Sequence, residues 1–385
     1  MPIQTRTEET SSFKATASGS STPSFRDCLA FALPALGIYA CPPLMSLIDA
    51  SFIGRLASSV ELAALGPASS ISESAPLPLL LLSIGSTNLI ARAVARNDTA
   101  KLAIVSRTAL GMGGVLGVLL AIALYSFSSP LAATYCGEAA GVLAAPCHAY
   151  VSIRALALPF VVLATIAQAI RIGTKDSRTP MISVATAGAF NLLGDLVLVK
   201  FLGMGIAGAA AATAVSQVLA ACLLLRVLKK RGFLDKPEGK TQGVTDGTRI
   251  ASTPSPASLE VAQQLFSFVP FLFIMLVKMF WHNACASTAA SLGRAKAAAH
   301  TALLSVAMLC FLLGDVWSSL AQAFLPAFVR SSVEEMRDDD NDSSQPHFDL
   351  TAALPTITQM HPFHFDGRHD YCFHRDRYLW ASNHE

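Results

Sequence analysis

Residues 44–67 read LMSLIDASFIGRLASSVELAALGP. The stretch closes a long apolar run and carries one acid, Asp49, where hydrocarbon excludes charge. A carboxylate at the centre of a membrane helix costs about 2.5–3.5 kcal/mol on an insertion scale. Residues of this kind face a bundle interior and mark ion or proton paths. Whether Asp49 has polar company at its own depth therefore decides what its helix is for.

The surrounding chain is that of a polytopic membrane protein. It has 385 residues, 52% hydrophobic and 14% charged, against about 25% charged in soluble domains. The net charge of +2 and the lack of a basic patch interleaved with aromatics give no case for nucleic acid. The sequence has no HExxH, no GxSxG and no His cluster within the apolar runs, so an integral-membrane enzyme is not expected. Eight cysteines are scattered without a CxxC pair. Cys136 and Cys147 share one loop, where pairing requires an oxidising compartment.

A spanning helix needs about 20 mainly apolar residues. Eight segments qualify, near 29–53, 68–91, 103–127, 148–170, 181–202, 205–228, 262–290 and 301–328. The expected fold is all-α and integral to the membrane, with the first six segments forming one lobe over 29–228. Residues 229–258 are a polar linker rich in Gly, Pro, Ser and Thr, and 259–330 hold two further helices as a partial second lobe. Residues 1–28 and 331–385 read as polar disordered tails. The latter holds several His and Cys372 at spacings that fit no zinc pattern.

Basic residues crowd alternate loops: Arg92, Arg96, Lys101 and Arg107; Arg171, Lys175 and Arg178; then Arg226, Lys229, Lys230 and Arg231 onward. This bias places the amino terminus on the cytosolic or equivalent positive side, and Arg171 reads as an orientation anchor. Small residues Gly208, Ala212 and Ser216 on one face of the sixth segment are expected to pack against a neighbouring helix.

Asp195 lies in the fifth segment with Asn191 four residues earlier, on one helix face. Thr213 lies in the sixth. At 1.5 Å per residue, Asp49, Asp195 and Thr213 fall roughly 8, 10 and 12 Å below the outer boundary. Two acids, an amide and a hydroxyl at one level suit a cation or a proton. Gln168, Gln217, Lys278 and Asp315 are weaker candidates for lining a cavity. Glu73, early in the second segment, reads as a residue reaching the outer interface.

PLMSLIDASFIGRLASSVELAALGP (43–67), RIGTKDSRTPM (171–181), NLLGDLVLVKFLGMGIAGAAAATAVSQ (191–217) and AAAH (297–300) together resemble the multidrug and toxic compound extrusion (MATE) transporters, in particular their plant and algal plastid-type branch. The resemblance covers about residues 25–330. It implies two six-helix lobes arranged as a V and a secondary antiporter that exports organic compounds or xenobiotics in exchange for H⁺ or Na⁺, with no other cofactor. The partners implied are a small organic substrate, the coupling cation and the bilayer. It further implies a cation site at Asp49, Asn191, Asp195 and Thr213, and a multi-pass location in the plastid envelope or another organelle membrane, otherwise the plasma or vacuolar membrane. Against that pattern this chain offers two helices of the second lobe, about eight in all, and the abrupt change after Arg330 reads as a truncated or misassembled second half. The rival expectations are a lipid-linked precursor flippase of related fold, which calls for a broad cationic cavity, and a shortened relative that does not transport.

Overall fold

The structure, a computed structural model, describes residues 25–137, 140–234, 256–267 and 310–327, with isolated positions between 269 and 303. The elements are α1 (Phe25–Leu56), α2 (Ser59–Ser74), a 3₁₀ turn (Leu77–Leu79), α3 (Leu80–Ala95), α4 (Thr99–Cys136), α5 (Ala140–Gly173), α6 (Arg178–Asp195), a π-helical turn (Leu196–Phe201), α7 (Gly205–Lys230) and α8 (Pro256–Phe266). Residues 310–327 are also helical and are called α9. Among the described residues, six helical elements are long and apolar enough to cross a membrane, α2 and α3 counting as one. The chain is a multi-pass membrane protein.

Local chemistry explains the breaks. Ser58 and Glu61 form a reciprocal capping box that starts α2, satisfying amides a helix start leaves open. Asp98 accepts from the Lys101 amide at 2.8 Å and starts α4. The second span is interrupted at Pro76, after which Leu77–Leu79 tighten into a 3₁₀ turn before α3, because proline cannot donate the helical hydrogen bond.

Helix α5 is the central post, packed on α2, α3, α4 and α7, while α1 lies on α6 and α6 on α7. One apolar core joins α3, α4, α5, α7 and α8 around Leu82, Ile90, Val105, Ile166 and Leu224. A second joins α1, α2, α4, α5 and α7 around Ile53, Ala68, Val151 and Ala209. A third, smaller cluster packs Phe31 of α1 and Ile172 of α5 on Val316, Leu320 and Phe324 of α9. The ring of Phe31 meets Phe324 edge-on, and Tyr39 is hydrogen-bonded to Ser319.

Several expected boundaries move. Residues 25–28, assigned to a disordered tail, form the first turn of α1, with Asp27 at its positive dipole end. The second span begins at Ser59, not near 68. Cys136 and Cys147 are buried free thiols. The seventh segment and the expected tail at 331–385 lie mostly or wholly outside the described residues.

Candidate functional site

Asp49, Asn191, Asp195 and Thr213 come from three helices and meet in one buried cluster. Their exposures are 5% for Asp49 and 0% for both Asn191 and Asp195. The Asn191 amide Nδ2 donates to Thr213 Oγ1 at 3.0 Å. The Thr213 hydroxyl lies 3.1 Å from Asp49 Oδ2 and 2.9 Å from the Ala209 carbonyl, its two possible acceptors. The carboxyls of Asp49 and Asp195 are close enough to share a hydrogen bond.

Backbone packing makes this proximity possible. A Cβ at Gly194 would lie 2.7 Å from the Ala212 Cβ, so glycine beside Asp195 lets α6 touch α7 where Thr213 follows Ala212. The π-helical turn begins immediately after Asp195 and seats Leu198 against Gly208, where an added Cβ would lie 3.1 Å from the Leu198 carbonyl. Single π turns within membrane and soluble helices recur at functional sites. Gly208, Ala212 and Ser216 are all buried on α7, as a small-residue contact face requires. Glu61 ties the start of α2 to the start of α7, accepting from the Ile206 amide at 3.2 Å.

Four acceptor oxygens in the cluster have no hydrogen-bond donor among the described residues: Asp49 Oδ1, Asn191 Oδ1 and both oxygens of Asp195. Buried carboxylates without donors are costly. A proton, or a hard cation with oxygen ligands, is the chemistry that would offset this.

The weaker candidates scatter. Gln217 does meet a partner, accepting from Arg154 Nη1 at 2.6 Å. Gln168 is half-buried on α5, fourteen residues beyond Arg154 and so about 21 Å along the helix. Asp315 is exposed on α9 and near Tyr39, which precedes Asp49 by ten residues, about 15 Å of helix. Lys278 lies outside the described residues. Glu73 is exposed, fourteen residues past Ser59 in a 37-residue span, and lines a cavity with Arg154. Arg154 itself went unremarked in the sequence, although the rule that singled out Asp49 applies equally to a lone guanidinium inside AYVSIRALALPF.

Arg171, which reads from the sequence as an orientation anchor, is held inside the structure. It is 2% exposed, ion-paired to Asp176, and stacks on Phe233 with 5.4 Å to the ring centroid. Burial pushes the Asp176 carboxyl up, but the Arg171 guanidinium and two hydrogen bonds from Thr179 outweigh it and hold the group below the ordinary carboxylate range. Ser177 donates to the Phe31 carbonyl at 2.7 Å, and the Lys175 ammonium lies 4.8 Å from the centre of the Phe324 ring. The loop of residues 174–177 thus clasps α1 and α9.

Known proteins show the same architecture. The MatE family model matches residues 34–197, which include Asp49, Asn191 and Asp195. Protein DETOXIFICATION 47, chloroplastic, of Arabidopsis thaliana is 32% identical over 305 residues, 79% of this chain and 53% of the relative. Multidrug export protein MepA of Staphylococcus aureus is 26% identical over 212 residues, 53% of this chain and 45% of the relative. The chain spans about half the length of the curated relatives it matches. A solved outward-facing multidrug resistance MATE family transporter superposes with a TM-score of 0.65 at 19% identity, over 80% of this chain and 67% of the other. A MOP superfamily transporter from Pyrococcus furiosus gives 0.65 at 20% identity, over 80% and 66%. The helical arrangement is thus the fold of the MATE transporters, and residues 34–197 match the MatE family.

Proposed function

We propose that this protein is a secondary active antiporter that exports organic compounds in exchange for H⁺ or Na⁺. The observation that carries this reading is the Asp49–Asn191–Asp195–Thr213 cluster with its four donorless oxygens. Two carboxyls in one buried site need positive charge between them, and either coupling ion supplies it. Loading brings α1, α6 and α7 together around the ion; unloading leaves two acids that repel. The three helices therefore have two arrangements whose balance the ion sets, and a substrate that prefers one of them is coupled to the ion through that preference. The π-helical turn after Asp195 is the place where α6 has freedom to change register.

The names of two relatives support the setting. DETOXIFICATION 47 and DETOXIFICATION 44 of Arabidopsis thaliana are both named chloroplastic, and we assign this chain to the plastid envelope on that likeness.

The test is efflux from vesicles holding the reconstituted chain, with H⁺ and Na⁺ gradients imposed separately. One gradient should drive efflux of a fluorescent organic cation or metabolite, and Asp195→Asn should abolish the gradient dependence while the protein still inserts. Gradient-driven efflux unchanged in Asp195→Asn would refute the assignment.

A further inference from the structure

A second charged group stands one helical turn from the acid cluster. Arg154 lies on α5 four residues after the buried Tyr150. Gln217, its hydrogen-bond partner at 2.6 Å, lies on α7 four residues after Thr213. Helices α5 and α7 are packed together and run parallel, since α6 alone returns the chain between them. The Arg154–Gln217 pair therefore forms a layer about 6 Å along the bundle from the Thr213 layer. That separation is within the sweep of an arginine side chain.

The guanidinium is poorly satisfied where it stands. Its Nε is buried without a hydrogen-bond partner among the described residues. It opens onto a cavity of about 180 Å³ whose walls include Ser72, Glu73, Leu124, Leu158 and Gln217. This volume is below the roughly 300 Å³ at which ligand pockets begin, so the space suits movement of a side chain better than an organic substrate. Arg154 is near enough to bear electrostatically on both Asp49 and Glu73.

From this juxtaposition we infer that Arg154 is a tethered counter-cation of the Asp49–Asp195 pair, competing with the coupling ion for the same carboxyls. The inference rests on the proposed coupling role of that cluster. When the acids hold no ion, the guanidinium swings toward them. When an ion enters, Arg154 is released from the acids and held by Gln217, to which its Nη1 can donate. Arg154 is a positioning residue: it sets how tightly the site holds its ion and reshapes the neighbouring cavity as the ion loads.

A unit charge about 8 Å away, at an effective dielectric of about 20, changes a binding constant by roughly thirtyfold. The full chain in lipid nanodiscs is titrated with ²²Na⁺ and, separately, for proton uptake, in wild type, Arg154→Gln, Arg154→Lys, Gln217→Leu and Asp195→Asn. Arg154→Gln should lower the ion concentration for half-occupancy by tenfold or more, and Arg154→Lys should stay near wild type. Gln217→Leu removes the displaced anchor and should act in the opposite sense, raising that concentration. A folded Arg154→Gln with unchanged half-occupancy overturns the inference. If that variant does not fold, an unchanged Gln217→Leu overturns it instead. Failure of the underlying coupling reading looks different: the wild type would then show no saturable ion binding that Asp195→Asn removes.

Discussion

Gly194→Ala tests the packing that assembles the site. The new Cβ would stand 2.7 Å from the Ala212 Cβ, whereas carbons prefer about 3.5–4.0 Å. Helices α6 and α7 must part by about 1 Å at this point. That movement stretches the Asn191–Thr213 hydrogen bond from 3.0 Å to near 4 Å, beyond the range in which such a bond holds. Overpacking costs about 1–3 kcal/mol, while replacing a helical glycine returns about 0.5–1 kcal/mol, so the net effect is destabilising. Gly111→Ala on α4 is the control, because nothing lies within 4 Å of its added Cβ; it should raise the melting temperature. Thermal melting of the purified protein, paired with ion half-occupancy, should show Gly194→Ala less stable and weaker in ion binding. Ala212→Gly in the same chain should restore both in part: it removes the 2.7 Å contact and leaves the Ala212 Cα at 3.2 Å. A Gly194→Ala protein that melts and binds like wild type would show that α6 and α7 do not meet here, and the derivation of the site would fall with it.

Further outcomes follow from the same contacts. Thr213→Val keeps the shape but strips the hydroxyl shared by Asn191 and Asp49, and should weaken ion binding in the nanodisc titration while Thr213→Ser stays close to wild type. Glu61→Ala removes the carboxylate half of the α2 capping box and the Ile206 contact, costing about 1 kcal/mol, and should speed amide exchange around 203–207 without changing ion affinity. Asp176 has its carboxyl held below its ordinary range, so its contribution is complete above the unfolded value near 3.9 and fades as pH falls through the lower folded value. Stability should therefore be flat in this term above about pH 5 and drop below about pH 4. Asp176→Asn leaves Arg171 buried and unpaired, and should cost about 3 kcal/mol at neutral pH while abolishing that acid-side drop.

The sequence by itself determined the number and rough extent of the first six spans, because apolar runs of sufficient length have no other use in a bilayer than to cross it. It also singled out Asp49, Asn191, Asp195 and Thr213, because charge and amide groups in such runs are conspicuous and helix rise converts position into depth. Depth is one coordinate only. Tertiary structure decided the other two: that α1, α6 and α7 turn these four residues toward one another, through the Gly194–Ala212 contact and the π turn after Asp195, neither of which leaves a periodic signal in the chain. The same holds for Arg154, Glu73 and Arg171. A lone arginine in an apolar run has no assigned partner until packing brings Gln217 to it, and Glu73 shares no site with it until the bundle sets both on one cavity wall. Partners from separate helices are selected by side-chain packing across the bundle, and that information is distributed over the small residues of several segments at once.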